Sequence, residues 1–105
     1  MAFREKDFIK RQLAELARVI ARALGLKEAG RAEEARAALE EGAAGALGVS
    51  YTMLGSVDVV TARGLLRTRE GADGYAQLLE CEAALEADPE RAQALRARAL
   101  ALRET

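Results

Sequence analysis

The sequence predicts an all-α protein, a compact bundle of four to five helices in a single domain over residues 1–105. Apolar residues recur every three or four positions in several segments, as in helices that bury one face. Gly30 and the pair Asp88-Pro89 separate these segments and are typical of helix boundaries. The one β-prone stretch, residues 49–54, is too short and isolated to build a sheet. We therefore expect a bundle built on an antiparallel hairpin of its first two helices, residues 7–47.

The first helix is predicted to begin near Asp7, because an acidic residue suits the positive end of a helix. It should end at Ala29, with Gly30 as the left-handed residue that follows it. The predicted buried stripe keeps helical spacing for about four turns and comprises Ile9, Leu13, Leu16, Ile20 and Leu24.

The second helix is predicted over residues 32–47, with a buried face made almost entirely of small residues. This face contains Ala32, Ala35, Leu39, Gly42 and Ala46. Small residues allow helix backbones to approach closely, so this face should pack on the larger side chains of the first helix.

Residues 48–74 are predicted to be the irregular middle of the chain. A bend or one helical turn is expected to start at Ser50, and a short helix over residues 57–68 to follow with Ser56 as its N-cap. The segment Thr68–Gly74 is polar and contains two glycines, which predicts a loop.

A second helix pair is predicted over residues 75–103. Its first helix should cover residues 75–87, and its second should cover residues 89–103, with Asp88 as N-cap and Pro89 in the first helical position. The buried stripe of the last helix is predicted to contain Ala92, Leu95, Ala99 and Leu102.

The segment Gly30-Arg31-Ala32-Glu33-Glu34-Ala35 resembles the turn and second helix of a tetratricopeptide repeat. Leu39 matches a large apolar position of that family, and Gly42 stands where a small residue is usual. Residues 84–89 are more loosely similar to the closing part of the repeat. The chain also resembles small bacterial tetratricopeptide-like proteins of a domain-of-unknown-function group. The resemblance implies a helical-hairpin core and no particular activity; residues 48–74 depart from the family's period, which leaves room for fewer than three repeats.

Charge and composition bear on location and partners. The net charge of −1 produces no overall field that would attract nucleic acid or a membrane surface. No apolar run approaches the ~20 residues of a membrane span, the N-terminus lacks an apolar signal core, and a single cysteine allows no internal disulfide. We therefore expect a cytoplasmic protein without membrane contact. The high content of Ala and Arg is typical of GC-rich bacterial genomes.

The sequence offers little for catalysis. It contains no histidine, which removes the commonest general base and metal ligand. Cys81 has no histidine to activate it and is expected to pack as a small apolar residue. The acidic pairs Glu33/Glu34, Glu40/Glu41 and Glu80/Glu82 point in different directions on a helix and do not form shared carboxylate sites. We expect a protein that is not an enzyme and that has no cofactor or metal.

A non-enzymatic interaction module, binding a protein partner or a second copy of itself as a homodimer, is the function that these features favour. A small domain with few aromatic residues and a wide apolar helix has to cover its remaining apolar surface. The candidate interaction surface comprises Phe8, Val19, Leu26, Tyr51, Met53 and Leu54.

The alternative is a nucleic-acid accessory protein that uses a basic face of the first helix, formed by Arg4, Arg11, Arg18 and Arg22. Glu15 lies among these arginines and no aromatic residue alternates with them to stack on bases, so nucleic acid is the less favoured partner.

Overall fold

The first two helices, α1 (Ala2–Glu28) and α2 (Ala32–Leu47), are joined by a turn that depends on Gly30. Gly30 has a φ of +79°, a left-handed conformation that glycine adopts at little cost. The Arg31 N–H donates to the Leu26 carbonyl at 2.9 Å, and the Gly30 N–H donates to the Lys27 carbonyl at 3.0 Å. This Schellman arrangement ends α1 as the sequence predicts. The computed structural model describes the backbone of residues 2–104 and the side chains of residues 10–104.

The start of α1 differs from the prediction. The helix begins at Ala2 and not near Asp7, which gives it 27 residues. The segment Ala2-Phe-Arg-Glu-Lys consists mainly of strong helix formers, so an acidic residue is not needed to start the helix.

Helix α2 covers the predicted residues and packs closely on α1. Its buried face contains Ala35, Leu39, Ala43, Ala46 and Leu47. Gly42 lies against Val19 of α1; a Cβ added to Gly42 would stand 2.5 Å from Val19 Cγ2 and 2.9 Å from Val19 Cγ1. The absence of a side chain at Gly42 is therefore what allows Val19 to reach this position. The exposed Ala32 is the one member of the predicted face that lies outside the contact.

Two short helices occupy the middle of the chain. Helix α3 (Tyr51–Gly55) starts where predicted, since the Met53 N–H donates to Ser50 Oγ at 3.3 Å. Helix α4 (Val59–Leu66) is capped by Asp58, which accepts from the Thr61 N–H at 2.7 Å. The prediction of Ser56 as N-cap of a helix over residues 57–68 is wrong, because the Ser56 hydroxyl donates backwards to the Met53 carbonyl at 2.8 Å and ends α3.

The predicted loop at residues 68–74 is instead the beginning of a helix, α5 (Arg69–Leu85). Thr68 is its N-cap and accepts from the Gly71 N–H at 2.9 Å. Both glycines have a packing role, since a Cβ on Gly74 would stand 2.5 Å from Leu16 Cδ1 and a Cβ on Gly71 would stand 3.0 Å from the Leu66 carbonyl oxygen. These close contacts compensate for the low helix propensity that made the segment look like a loop.

Helix α6 (Pro89–Arg103) begins and ends at the predicted residues. Asp88 caps it by accepting from the Glu90 N–H at 3.1 Å, and Pro89 is in the first turn. Ala92, Ala99 and Leu102 are buried as predicted, and Leu95 is half-buried.

The described part of the chain thus contains six helices, where four to five were predicted. The two pairs α1–α2 and α5–α6 make the most extensive contacts, and α5 also packs on α1, α2 and α4. The radius of gyration of 13.5 Å is close to the ~13 Å typical of a compact domain of this length. Within residues 2–104, no helix combines the length and the apolar character needed to cross a bilayer.

A polar and aromatic cluster ties α3 and α6 to α5. The Tyr51 and Tyr75 rings meet edge to face at 5.7 Å, and the Tyr51 hydroxyl donates to Glu82 Oε1 at 2.6 Å. The guanidinium of Arg98 lies 5.9 Å from the centre of the Tyr75 ring and donates to the Leu54 and Val57 carbonyls, each at 2.6 Å. Arg98 therefore satisfies the Leu54 carbonyl near the end of α3 and the Val57 carbonyl in the link between α3 and α4.

We predict that Leu39→Asp unfolds the protein. Leu39 is fully buried on α2, and burying a carboxylate there costs at least about 3 kcal/mol of a total stability of roughly 5–15 kcal/mol. The control Ala37→Asp introduces the same side chain at an exposed position of the same helix. Circular dichroism melting should show lost helicity for Leu39→Asp alone; equal melting of both variants would contradict the packing of α2.

Two glycine substitutions on α2 should have opposite effects. Gly42→Ala forces a Cβ against the two Val19 methyls, which branch directly from the Val19 Cβ, and should destabilise by about 1–3 kcal/mol. Gly45→Ala meets no atom within 4 Å and should stabilise by up to ~1 kcal/mol through helix propensity. Urea denaturation of both variants measures the difference, and stabilisation by both would show that Val19 does not occupy this contact.

Candidate functional site

Helix α1 buries only part of the predicted stripe: Leu16 is buried and Ile20 packs partly buried against the core, whereas the side chain of Ile9 lies outside the described residues. Leu16, Val19 and Ala23 are buried, whereas Leu13 and Leu24 remain 42% and 37% exposed. Val19 enters the space at Gly42, and Leu16 enters the space at Gly74. The positions of these glycines on α2 and α5 therefore set the rotation of α1, and the larger stripe around Leu13 turns outward.

The outward side of α1 carries an uninterrupted apolar surface, which we call the open face. It extends over three turns and contains Leu13, Ala14, Ala17, Ile20, Ala21, Leu24 and Gly25. All of these residues are exposed except the half-buried Ile20. The spacing of 13, 17, 20 and 24 follows the alternating steps of four and three that form the seam of a coiled coil.

The two ends of the open face carry opposite charges. Lys10 precedes it and Glu28 follows it, and both are exposed. The 18 positions that separate them correspond to about five helical turns, so both residues lie in line with the open face. The face is thus apolar in its middle, positive at one end and negative at the other.

The six residues of the predicted interaction surface do not lie together on the surface. Val19, Tyr51 and Leu54 are buried in the core, and Leu26 is partly buried against it. These positions pack within the chain because α1 is rotated and α3 folds inward. Met53 is 52% exposed, and the side chain of Phe8 lies outside the described residues.

The other large apolar side chains that are exposed are spread over α3, α4 and α6. They are Met53, Val60, Leu65 and Leu100. Single exposed apolar residues are common on proteins and need no partner. The open face of α1 differs from them because it is continuous along one helix.

The predicted basic face is accompanied by acidic residues. Arg11, Arg18 and Arg22 are all exposed on α1, and the side chain of Arg4 lies outside the described residues. Arg18 Nη1 pairs with Glu15 Oε2 at 3.1 Å, and Glu15 and Glu41 border the same shallow cleft as Arg18 and Arg22. The mixed charge gives this side of α1 no strong attraction for a phosphate backbone.

Cys81 lies in the core, and the acidic residues Glu80 and Glu82 contact neighbouring helices. Cys81 is buried and free, as predicted, and burial raises the pKa of its thiol and so disfavours the reactive thiolate. Glu80 pairs with Arg103 on α6, whereas Glu82 accepts from Tyr51 on α3. Among the residues that the structure describes, no three His, Cys, Asp or Glu side chains are grouped closely enough to hold a metal ion.

An ion pair connects the first helix pair to the second. Arg36 Nη2 lies 2.8 Å from Glu86 Oε2, and Arg91 Nη1 lies 3.6 Å from Glu86 Oε1. The hydrogen bond from Arg36 holds the pKa of the Glu86 carboxyl below its ordinary value, and Arg91 acts in the same direction. Only 10% of the Glu86 side chain is exposed. Its carboxylate therefore interacts mainly with these two arginines and little with water.

Comparison of the chain with protein-family models, with curated proteins and with solved structures gives no match. The functional evidence therefore comes from the surfaces of the chain itself. Among its exposed apolar residues, only those of the open face of α1 form a continuous surface along one helix in the described part of the chain.

The Glu86 ion pair should make stability depend on pH. Because the folded-state pKa of Glu86 is lowered, its contribution is complete above its unfolded pKa of about 4.3 and is lost as the pH falls through the folded value. Thermal melts at pH 3–8 should therefore show Glu86→Gln below wild type at neutral pH and approaching it in acid.

The matched control is Glu41→Gln, an exposed glutamate on α2 outside the described ion pairs. It should follow the wild-type melting temperature at every pH. A constant difference between Glu86→Gln and wild type down to pH 3 would contradict the stabilising role of the ionised carboxylate.

Proposed function

We propose that this chain is a non-enzymatic helical interaction module that associates with a second copy of itself through the open face of α1. The observation that carries the proposal is the continuous, uncharged surface from Leu13 to Gly25. Covering such a surface removes it from water and lowers the free energy of the protein. A second copy is favoured as the occupant because the face is complementary to itself.

The self-complementarity follows from the symmetry of the face about position 19. When two α1 helices pair in antiparallel orientation, Lys10 of one copy lies opposite Glu28 of the other. The same operation places Leu13 opposite Gly25 and beside Leu24, and it places Ala17 opposite Ala21. Leu13 of each copy then lies beside Leu24 of the other, and the alanines at positions 14, 17 and 21 allow close approach. A two-fold axis makes every such contact twice, as in most homodimers.

The size of the face sets the expected affinity. Three turns of one helix cover less than the ~800 Å² per partner that stable complexes bury. We therefore expect a dissociation constant in the micromolar range and a dimer whose population depends on concentration. The exposed alanines lose little side-chain entropy on association, which favours pairing despite the small area.

We also propose that the scaffold behind this face is similar to tetratricopeptide hairpins. Both helix pairs are joined by three residues, 29–31 and 86–88. Ala35 and Leu39 are buried in the first pair at the positions that the family resemblance indicates. In this arrangement α2 and α5 support α1 from behind, and the outward side of α1 is available for a partner.

The proposal predicts that Ala17→Glu abolishes self-association without unfolding the chain. Ala17 is exposed and central in the open face, and glutamate is a good helix former, so the monomer should keep its helicity. Burying one carboxylate of each copy in the apolar contact should raise the dissociation constant at least tenfold. Ala94→Glu makes the same change at an exposed position of α6 and serves as the control.

Sedimentation equilibrium between about 1 μM and 1 mM measures the three proteins. We expect a monomer–dimer equilibrium for wild type and Ala94→Glu, and a monomer for Ala17→Glu. A wild-type protein that stays monomeric over this range, or an Ala17→Glu variant that still dimerises, would refute the proposal.

Charge reversal separates antiparallel from parallel pairing. Lys10→Glu alone and Glu28→Lys alone should each weaken the dimer, because each creates like charges at both ends of an antiparallel pair. The double variant should recover most of the wild-type affinity. Additive weakening in the double variant would exclude the antiparallel arrangement.

A further inference from the structure

A small cleft between α4, α5 and α6 contains an unusual concentration of arginine. It has a volume of about 210 Å³ and is bordered by Arg63 and Arg67 at the end of α4, Arg69 at the start of α5 and Arg103 at the end of α6. Asp73 is the acidic residue among the lining residues described. The cleft lies on helices that do not carry the open face of α1.

Two of the four arginines have partners that fix their position. Arg63 Nη2 donates to the Ala101 carbonyl at 2.5 Å and so ties α4 to the end of α6. Arg103 pairs with Glu80, and this hydrogen bond raises the pKa of Arg103. Arg63 Nε is buried and has no hydrogen-bond partner among the described residues. A buried donor without a partner is costly.

The other two arginines occupy positions that local structure does not favour. Arg67 has a φ of +66°, and it is the one described residue other than glycine with a positive φ. Residues other than glycine rarely adopt this backbone conformation, and those that do are often found at functional sites. Arg69 is the first residue of α5, where the helix dipole is positive and a cation is unfavourable.

The charges around the cleft are unbalanced. Four arginines and Asp73 border the cleft, and Glu80 pairs with Arg103 beside it, which leaves two more positive than negative charges among these residues. A dianion restores the balance. Guanidinium groups donate pairs of parallel hydrogen bonds that match the oxygens of a phosphate group. We infer that this cleft is a binding site for the phosphate group of a small molecule.

The shape of the cleft favours a small ligand over a nucleic acid. A nucleic-acid surface would extend along several phosphates and offer aromatic side chains for stacking. Here the arginines converge on one cleft, and both tyrosines are buried in the core. The phosphate group of a metabolite and free inorganic phosphate share the required chemistry.

Isothermal titration calorimetry of the purified chain at low ionic strength tests the inference. Inorganic phosphate and glycerol 3-phosphate are the two probes, and sodium chloride at equal ionic strength is the blank. We expect saturable binding of one equivalent with a dissociation constant of millimolar or below. Tighter binding of glycerol 3-phosphate would identify a phosphomonoester as the ligand class, and tighter binding of inorganic phosphate would identify the free ion.

Two variants locate the site. Arg67→Gly removes one guanidinium and places glycine at a positive φ, so it should melt no lower than wild type while binding phosphate at least tenfold more weakly. Arg96→Gln removes an exposed arginine of α6 that does not border the cleft, and it should bind like wild type.

Heat signals no larger than those of sodium chloride would overturn the inference, as would equal weakening by Arg67→Gly and Arg96→Gln. Ala17→Glu should bind phosphate normally, because the open face of α1 is separate from the cleft. Loss of self-association and loss of phosphate binding are thereby distinguished.

Discussion

Two glycines, one on α2 and one on α5, determine how the longest described helix, α1, is rotated against the helices that it packs on. Gly42 leaves space for the branched side chain of Val19, and Gly74 leaves space for the end of Leu16. With both side chains inserted, α1 has one rotation in which its contacts with α2 and α5 are satisfied together. Close packing of this kind is sensitive to single methyl groups, so the rotation is strongly specified.

This rotation has a consequence on the opposite side of α1. The larger of its apolar stripes, which contains Leu13 and Leu24, is directed away from the core. A chain that needed only a stable monomer could bury those leucines and expose the smaller residues instead. The arrangement therefore combines a tightly packed support with an apolar surface, and the charges of Lys10 and Glu28 at its ends give that surface a preferred orientation for a partner.

Local signals in the sequence predict much of the fold. Gly30, Ser50, Asp88 and Pro89 define helix ends through backbone conformation and capping, which depend on nearby residues only, and the structure confirms them. The predictions that are wrong concern contacts between residues far apart in the sequence. Gly71 and Gly74 look like loop residues until Leu66 and Leu16 are placed against them, and the buried stripe of α1 cannot be selected without the grooves of α2 and α5. The pairing of Arg36 with Glu86 and the approach of Arg103 to Arg63 likewise join residues far apart in sequence.

The most direct test of the account is the distance between two α1 helices in solution. Nitroxide labels can be attached to Arg18→Cys and to Arg11→Cys, both exposed beside the open face, in a Cys81→Ala background. Antiparallel pairing about position 19 places the two copies of residue 18 close together and separates the two copies of residue 11 by roughly 20 Å more along the helix axis. Double electron–electron resonance should therefore give a short distance for the first variant and a clearly longer one for the second. Equal distances in the two variants, or no dipolar signal at concentrations up to about 1 mM, would contradict antiparallel pairing through the open face of α1.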